Sequence, residues 1–141
     1  MASSGGLSNP YVPSVLVVDD EPLAAEVLAR MLQQGGYRAV AVNSARAALA
    51  ALERADPRFH LLITDVVMPE TDGRTLGRII GERHPGHPVL YVSAYPSNDV
   101  FHRGAPDPLV PFLQKPFLPD AMLMLVRRLM AAPVRWADQP G

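Results

Sequence analysis

The chain contains no cysteine. This absence excludes a disulfide scaffold, a thiolate metal site and a cysteine nucleophile, and it is compatible with a cytoplasmic location. No apolar run approaches the roughly 20 residues that a membrane-spanning helix needs. The net charge is only -1, so no long-range field attracts nucleic acid or an anionic membrane. We therefore expect neither of these as a partner.

The ends of the chain differ in composition from its middle. Residues 1–13 are rich in serine, glycine and proline and have neither lysine nor arginine, so we expect a flexible arm and no signal peptide. Residues 132–141 follow the last apolar pattern and are expected to form a frayed tail. The remaining residues, 14–131, are enough for one domain but not for two. A hydrophobic content of 48% with 19% charged residues is typical of a globular domain.

Five short apolar runs are nearly continuous in valine, leucine and isoleucine, as expected for parallel strands that are covered on both faces. They occupy residues 15–18, 39–42, 61–63, 89–92 and 110–113. Apolar residues at helical spacing lie between and after these runs. Alternation of strand and helix predicts an α/β, doubly wound parallel sheet with right-handed crossovers.

The helical patterns differ in strength. Leu23, Val27 and Met31 share a face of the first pattern, and Ser44 is suited to cap the second. The inward residues predicted for the later helices are Ala45, Ala48, Leu49 and Leu52, then Leu76, Ile79 and Ile80, and finally Met122, Leu125, Val126, Leu129 and Met130. Prolines and glycines interrupt residues 96–111, so the crossover helix there is expected to be short or irregular, and the segment mobile.

Polar side chains follow four of the five runs: Asp19 and Asp20, then Asp65, Ser93 and Lys115. The carboxyl ends of parallel strands meet at one edge of a sheet, so we expect these groups to converge. Taken singly, each has a plain structural explanation as a turn residue, a solvated acid, a cap or a surface lysine. Taken together, they suit a divalent cation and a phosphoryl group, and oxygen ligands without cysteine favour Mg²⁺ over Zn²⁺.

A family resemblance rests on these residues and their neighbours. The chain resembles the receiver domain of two-component response regulators over residues 14–131, and most of all the receivers attached to hybrid sensor kinases. The motifs that carry the resemblance are Asp19-Asp20, Asp65 with Met68-Pro69 and Asp72-Gly73, Ser93-Ala94, and Lys115-Pro116. It implies a five-stranded, flavodoxin-like sheet of order 2-1-3-4-5. The proline-rich residues 96–111 depart from the family pattern.

The resemblance also implies roles at the metal site. Asp65 would be the phosphoacceptor, receiving a phosphoryl group from a histidine kinase, a phosphotransfer protein or a small phosphodonor. Asp20 and Asp65 would bind Mg²⁺ directly with the backbone carbonyl of Val67, and Asp19 would bind it through water. The domain would assist its own phosphorylation and dephosphorylation without being an enzyme.

Further roles follow from the same resemblance. Ser93 and Lys115 would hold the phosphoryl oxygens, and Ser93 with Phe112 would form the conformational switch. Val67 and Tyr95 would flank the path of the hydrolytic water. The Lys115–Pro116 bond is commonly cis in this family, whereas sequence alone gives only the general X-Pro frequency of about 5–6%.

Two other functions remain open from the sequence. One is a Mg²⁺-dependent phosphohydrolase with an aspartyl nucleophile, but such enzymes place two Asp residues one residue apart after the first strand. Here Asp19 and Asp20 are adjacent, and the nucleophile candidate follows the third strand. The other is a receiver-like binding module that is never phosphorylated, although such modules usually lose a site residue. The chain is either a stand-alone receiver or a piece of a longer protein.

Overall fold

Strands and helices alternate along the chain, as the apolar pattern predicts. The computed structural model describes residues 12–54, 58–96 and 111–131. In chain order the elements are β1 (Ser14–Val18), α1 (Pro22–Gln34), β2 (Arg38–Val42), α2 (Ala45–Leu52), β3 (Leu61–Asp65), α3 (Gly73–Arg83), β4 (Val89–Ser93), β5 (Phe112–Gln114) and α4 (Pro119–Ala131). None of these helices has the length and apolarity that crossing a membrane requires.

All five strands form one parallel sheet of order β2-β1-β3-β4-β5, which confirms the predicted doubly wound fold. Val18 of β1 lies opposite Val42 of β2 and Thr64 of β3, and Asp65 lies opposite Val92 of β4. The central strands therefore end at nearly one level. Residues that follow them meet at the carboxyl edge of the sheet, where ligands bind in open α/β folds.

Two apolar clusters cover the two faces of the sheet. One joins alternate residues of β1, β3 and β4 to α1 and α4, and the other joins the intervening residues to α2 and α3. Every residue of β1 and of β3 is buried. This two-sided burial is the physical reason why these strands are continuous apolar runs and do not alternate.

The buried face of α1 overlaps only partly with the face named from the sequence. Leu23, Val27 and Met31 do share a face, and Met31 packs against the core, but Leu23 is 74% exposed and Val27 is 50% exposed. The residues of α1 that are buried are Ala25, Leu28, Ala29 and Leu32. Ala25, Leu28 and Leu32 belong to the core cluster under the sheet, so packing against the strands selects this face.

The other helix predictions hold more closely. The Ser44 side chain caps α2 by accepting a hydrogen bond from the Ala47 backbone N–H at 3.0 Å. In α4, Met122 and Val126 are fully buried, and the remaining members of the predicted stripe pack against the same cluster. Two-turn α2 would be marginal alone, so its cap and its alanine face against the sheet together hold it in place.

Several sequence predictions concern residues outside the described part of the chain. They are the flexible arm, apart from residues 12–13, the crossover between β4 and β5 at residues 97–110, and the tail at residues 132–141. The irregular crossover helix and the mobility of residues 96–111 therefore stay predictions.

We predict that Gly77 of α3 cannot be enlarged without loss of stability. A Cβ atom at this position would lie 1.8 Å from the Tyr91 hydroxyl oxygen and 2.9 Å from Cζ of the same ring. At Gly81, in the same helix, a Cβ atom would meet nothing within 4 Å. Alanine gains about 0.5–1 kcal/mol over glycine inside a helix, whereas overpacking costs about 1–3 kcal/mol.

Chemical denaturation of the two variants measures this contrast. We expect Gly81→Ala to be more stable than the unmodified chain, and Gly77→Ala to be less stable than Gly81→Ala by about 1–3 kcal/mol, because both variants share the helix gain and only Gly77→Ala is overpacked. The double variant Gly77→Ala/Tyr91→Phe, which lacks the hydroxyl, should recover part of the stability that Gly77→Ala loses. Equal stabilities of Gly77→Ala and Gly81→Ala would show that the Tyr91 ring moves aside freely.

Candidate functional site

Three carboxylates meet at the carboxyl edge of the sheet. Asp19 and Asp20 directly follow β1, and Asp65 is the last residue of β3. Each of the three contributes a carboxylate oxygen to a group in which all these oxygens lie within 4.8 Å of one another. Asp19 and Asp65 are buried, whereas Asp20 is more exposed. Neighbouring strands with aligned ends therefore bring together the three acids, as the sequence predicts.

A single ammonium group lies against these carboxylates. The Lys115 Nζ atom is 2.9 Å from Oδ2 of Asp19 and 3.7 Å from Oδ2 of Asp65. Burial alone would lower the pKa of Lys115, but the hydrogen bond to Asp19 and the charges of Asp65 and Asp19 raise it above its usual value. The lysine is therefore a fixed positive charge at neutral pH. The Lys115–Pro116 peptide bond is cis, as the resemblance implies.

The surroundings of Asp65 disfavour its ionised form. Burial raises the pKa of Asp65 from 3.8 to about 6, against the opposing effect of the Lys115 ammonium. That net value also includes the charges of Asp19 and Asp20, which raise the pKa, and a backbone hydrogen bond from Val67, which lowers it. Three carboxylates beside one ammonium leave an excess of two negative charges when all are ionised. A divalent cation would offset that excess.

The loop after β3 places Asp65 through a very close backbone contact. The Gly73 N–H donates a 2.7 Å hydrogen bond to the carbonyl oxygen of Val66. A Cβ atom on residue 73 would lie 2.3 Å from the Asp65 carbonyl oxygen and 2.9 Å from the Val66 Cα. Only glycine fits here, because both of the close neighbours are backbone atoms. Asp72 caps α3 by accepting a hydrogen bond from the Thr75 N–H at 2.9 Å.

The remaining residues implied by the resemblance lie along the next strand ends. Ser93 ends β4 and is fully buried, and its hydroxyl oxygen accepts a hydrogen bond from the Tyr95 N–H at 3.1 Å. Its carbonyl accepts the Lys115 N–H at 2.7 Å, which joins the ends of β4 and β5. Val67 and Tyr95 are each more than half exposed, and Phe112 is partly buried in β5. Among the described residues, the Ser93 hydroxyl makes no hydrogen bond to the three carboxylates.

The sequence match agrees with this geometry. Residues 15–127 match the family model described as "Response regulator receiver domain".

The chain belongs to the response regulator receiver family.

Named relatives and structures of receivers show the extent of the likeness. The chain is 40% identical to response regulator protein FleR of Pseudomonas aeruginosa over 131 residues, which are 90% of this chain and 26% of that protein. It is 35% identical to sensor kinase CckA of Brucella abortus over 118 residues, 83% of this chain and 12% of that protein. These two relatives include both a response regulator and a kinase, so they do not single out the hybrid-kinase type.

The fold has close counterparts among solved receivers. A response regulator receiver protein from Sinorhizobium medicae superposes with a TM-score of 0.76 at 24% identity, covering 89% of this chain and 99% of that one. The chain thus spans a whole receiver but only about a quarter or less of the two curated relatives. As a receiver, it belongs to a family of phosphoacceptor switches of two-component systems.

One residue that lies at this site was not predicted from the sequence. The Asn43 side-chain amide donates a 2.9 Å hydrogen bond to the backbone carbonyl oxygen of Asp19. Asn43 directly follows β2, whose carboxyl end lies at the same edge as that of β1. The same rule that selected the other strand-end residues could therefore have found it.

Proposed function

We propose that Asp65 of this receiver accepts a phosphoryl group from a phosphohistidine on a histidine kinase or a phosphotransfer protein. One observation carries the proposal: Asp65 ends its strand beside Asp19, Asp20 and the Lys115 ammonium, with distances short enough for all four groups to act together. Residues 14–131 would form the phosphoaccepting domain, and residues 1–13 and 132–141 would lie outside it.

The candidate metal ligands fit Mg²⁺. All of the candidate ligands are oxygen atoms, and the excess negative charge suits a hard divalent cation. In the proposed site, Asp20, Asp65 and the backbone carbonyl of Val67 would hold the ion directly, and Asp19 through water. Mg²⁺, when bound, offsets negative charge shared by the carboxylates and the phosphoryl oxygens.

The side chains of this chain perform the transfer by position and charge. A carboxylate oxygen of Asp65 attacks phosphorus in line, and the bond between phosphorus and the histidine nitrogen breaks, with its electron pair going to the imidazole. Lys115 is already held at the carboxylates and would bind a phosphoryl oxygen as a point charge. The product is an acyl phosphate on Asp65, which makes the domain an acceptor and not a catalyst of turnover.

Ser93 and Phe112 would convert the new charge into a change of conformation. The buried Ser93 hydroxyl oxygen accepts a hydrogen bond from the Tyr95 N–H, and a hydroxyl group can also donate its own proton. A phosphoryl group on Asp65 would draw that hydroxyl towards it and open space that the Phe112 ring can fill. A local charge change would thereby bias a two-state element.

Treatment with acetyl phosphate and Mg²⁺, followed by intact-mass measurement, tests the proposal. We expect one phosphoryl group per chain, dependence on Mg²⁺, and no labelling of Asp65→Asn. Asp72→Asn is the matched control, because asparagine still caps α3 and Asp72 is not a member of the carboxylate group. Full labelling of Asp65→Asn, or none of the unmodified chain, would refute the assignment. Continuous phosphate release without a labelled intermediate would instead favour a phosphohydrolase.

We expect the phosphorylated form to decay slowly, because neither side chain that flanks the proposed water path can orient water. Val67 is 53% exposed and Tyr95 is 55% exposed, and neither carries a carboxylate or an amide. Val67→Asn should speed the decay by supplying an amide. Val40→Asn makes the same exchange on β2, away from the site, and should leave the rate unchanged. The decay rates of the unmodified chain and the two variants are measured as time courses of phosphoryl loss. Loss within seconds in the unmodified chain contradicts the prediction.

A further inference from the structure

Asp19 is held at every polar atom it has. Its N–H donates to the Val42 carbonyl at 3.2 Å, and its Oδ1 accepts the Glu21 N–H at 3.0 Å. Its Oδ2 accepts from Lys115 Nζ at 2.9 Å, and its backbone carbonyl accepts from the Asn43 amide at 2.9 Å. These contacts fix both the side chain and the backbone of this residue.

The next residue, Asp20, is held quite differently. Within the described residues, no hydrogen bond or ion pair restrains its carboxylate, although one of its oxygens lies within the 4.8 Å carboxylate group. The repulsion of Asp19 and Asp65 acts to push that carboxylate outward, towards solvent. The position of the Asp20 carboxylate is therefore set through its backbone.

Asn43 restrains the peptide before Asp20. The hydrogen bond from the Glu21 N–H to Asp19 Oδ1 restrains the chain after Asp20. The carbonyl oxygen that Asn43 binds belongs to the peptide unit between Asp19 and Asp20, and a peptide unit is planar. Fixing the carbonyl therefore fixes the plane in which the Asp20 nitrogen and Cα atoms lie. Asn43 and Asp20 also line the same cleft, of about 440 Å³, between α2 and the loop before α3.

We propose that Asn43 is a positioning residue for the cation site, which orients the Asp19–Asp20 peptide so that the Asp20 carboxylate is ready to bind Mg²⁺. The inference rests on the proposed function, because it needs the carboxylates to bind the ion. Groups that orient a metal ligand without touching the metal typically contribute about 10–100-fold to affinity. We expect the lower part of that range here, since Mg²⁺ keeps several waters.

The Mg²⁺ affinity is measured by titrating the unphosphorylated chain with Mg²⁺ and monitoring the backbone amide chemical shifts of residues 19–21. Asn43→Ala and the size-matched Asn43→Leu should each bind Mg²⁺ about tenfold more weakly. Asn43 is exposed, so neither change should prevent folding. Ser44→Ala is the matched control: it removes the cap of α2, lowers the thermal midpoint and leaves Mg²⁺ affinity unchanged.

A second set of variants, made in the Asp20→Ala protein, separates positioning of the Asp20 carboxylate from a general effect on the structure. In Asp20→Ala, which itself should lose most Mg²⁺ binding, adding Asn43→Ala should weaken binding no further, because the group that Asn43 orients is gone. Wild-type affinity in Asn43→Ala, or an equal loss in Ser44→Ala, would overturn the inference while leaving the proposed function intact. Absence of Mg²⁺ binding in the unmodified chain would overturn both.

Discussion

Gly73→Ala should destabilise the domain by about 1.5–4.5 kcal/mol and slow phosphorylation of Asp65. The added Cβ would lie 2.3 Å from the Asp65 carbonyl oxygen and 2.9 Å from the Val66 Cα. Both are backbone atoms, so neither can rotate away as a side chain could. Helix α3 must then move off the end of β3 and lose the hydrogen bond from Gly73 to Val66. Overpacking costs about 1–3 kcal/mol, and a lost hydrogen bond adds about 0.5–1.5 kcal/mol.

Urea unfolding gives the stability, and intact-mass labelling with acetyl phosphate gives the rate. Gly81→Ala is the control in the same helix, because a Cβ atom there meets nothing within 4 Å. That variant should be slightly stabilised and label normally. If Gly73→Ala labels at the normal rate under conditions where it is fully folded, then the close contact does not position Asp65.

Asp65→Asn should make the unphosphorylated, metal-free domain more stable at neutral pH. Burial raises the pKa of Asp65 from 3.8 to about 6 in the fold, so the ionised form is disfavoured there. A group with a raised folded pKa contributes stability that is fully present below pH 3.8 and is lost as pH rises through about 6. At 1.36 kcal/mol per pKa unit, the shift of the Asp65 pKa corresponds to at most about 3 kcal/mol in the free energy of unfolding. We therefore expect a gain of about 1–3 kcal/mol above pH 7 that disappears near pH 4.

Thermal unfolding of the two proteins across this pH range measures the effect. Asp72→Asn is the control of opposite sign: despite partial burial, hydrogen bonds from Thr75 and Arg74 lower the pKa of Asp72, so its charge is favourable. Its removal should leave stability unchanged or reduce it at neutral pH. Added Mg²⁺ should narrow the gap between Asp65→Asn and the unmodified chain. A gain that is equally large at pH 4 would mean that burial of charge is not its cause.

Much of the site could be predicted because parallel strands impose a simple rule. Asp19, Asp65, Ser93 and Lys115 each follow an apolar run, and the ends of such runs meet at one edge. Asn43 obeys the same rule after β2 but was overlooked, because an amide carries no charge and belongs to no motif named from the sequence. Its role became visible only through the hydrogen bond to the Asp19 carbonyl.

The order of apolar runs and strand-end polar residues by itself determined the doubly wound fold and the edge at which the acids meet, because these follow from local periodicity and from the common direction of parallel strands. The family was indicated by its motif residues and not by periodicity. Tertiary packing alone decided which face of α1 is buried, since that depends on which residues of the helix lie against the strands. It also decided the raised pKa of Asp65 and the steric limits at Gly73 and Gly77. Burial, charge proximity and close contact are properties of distances between segments that are far apart in the chain, and no single segment encodes them.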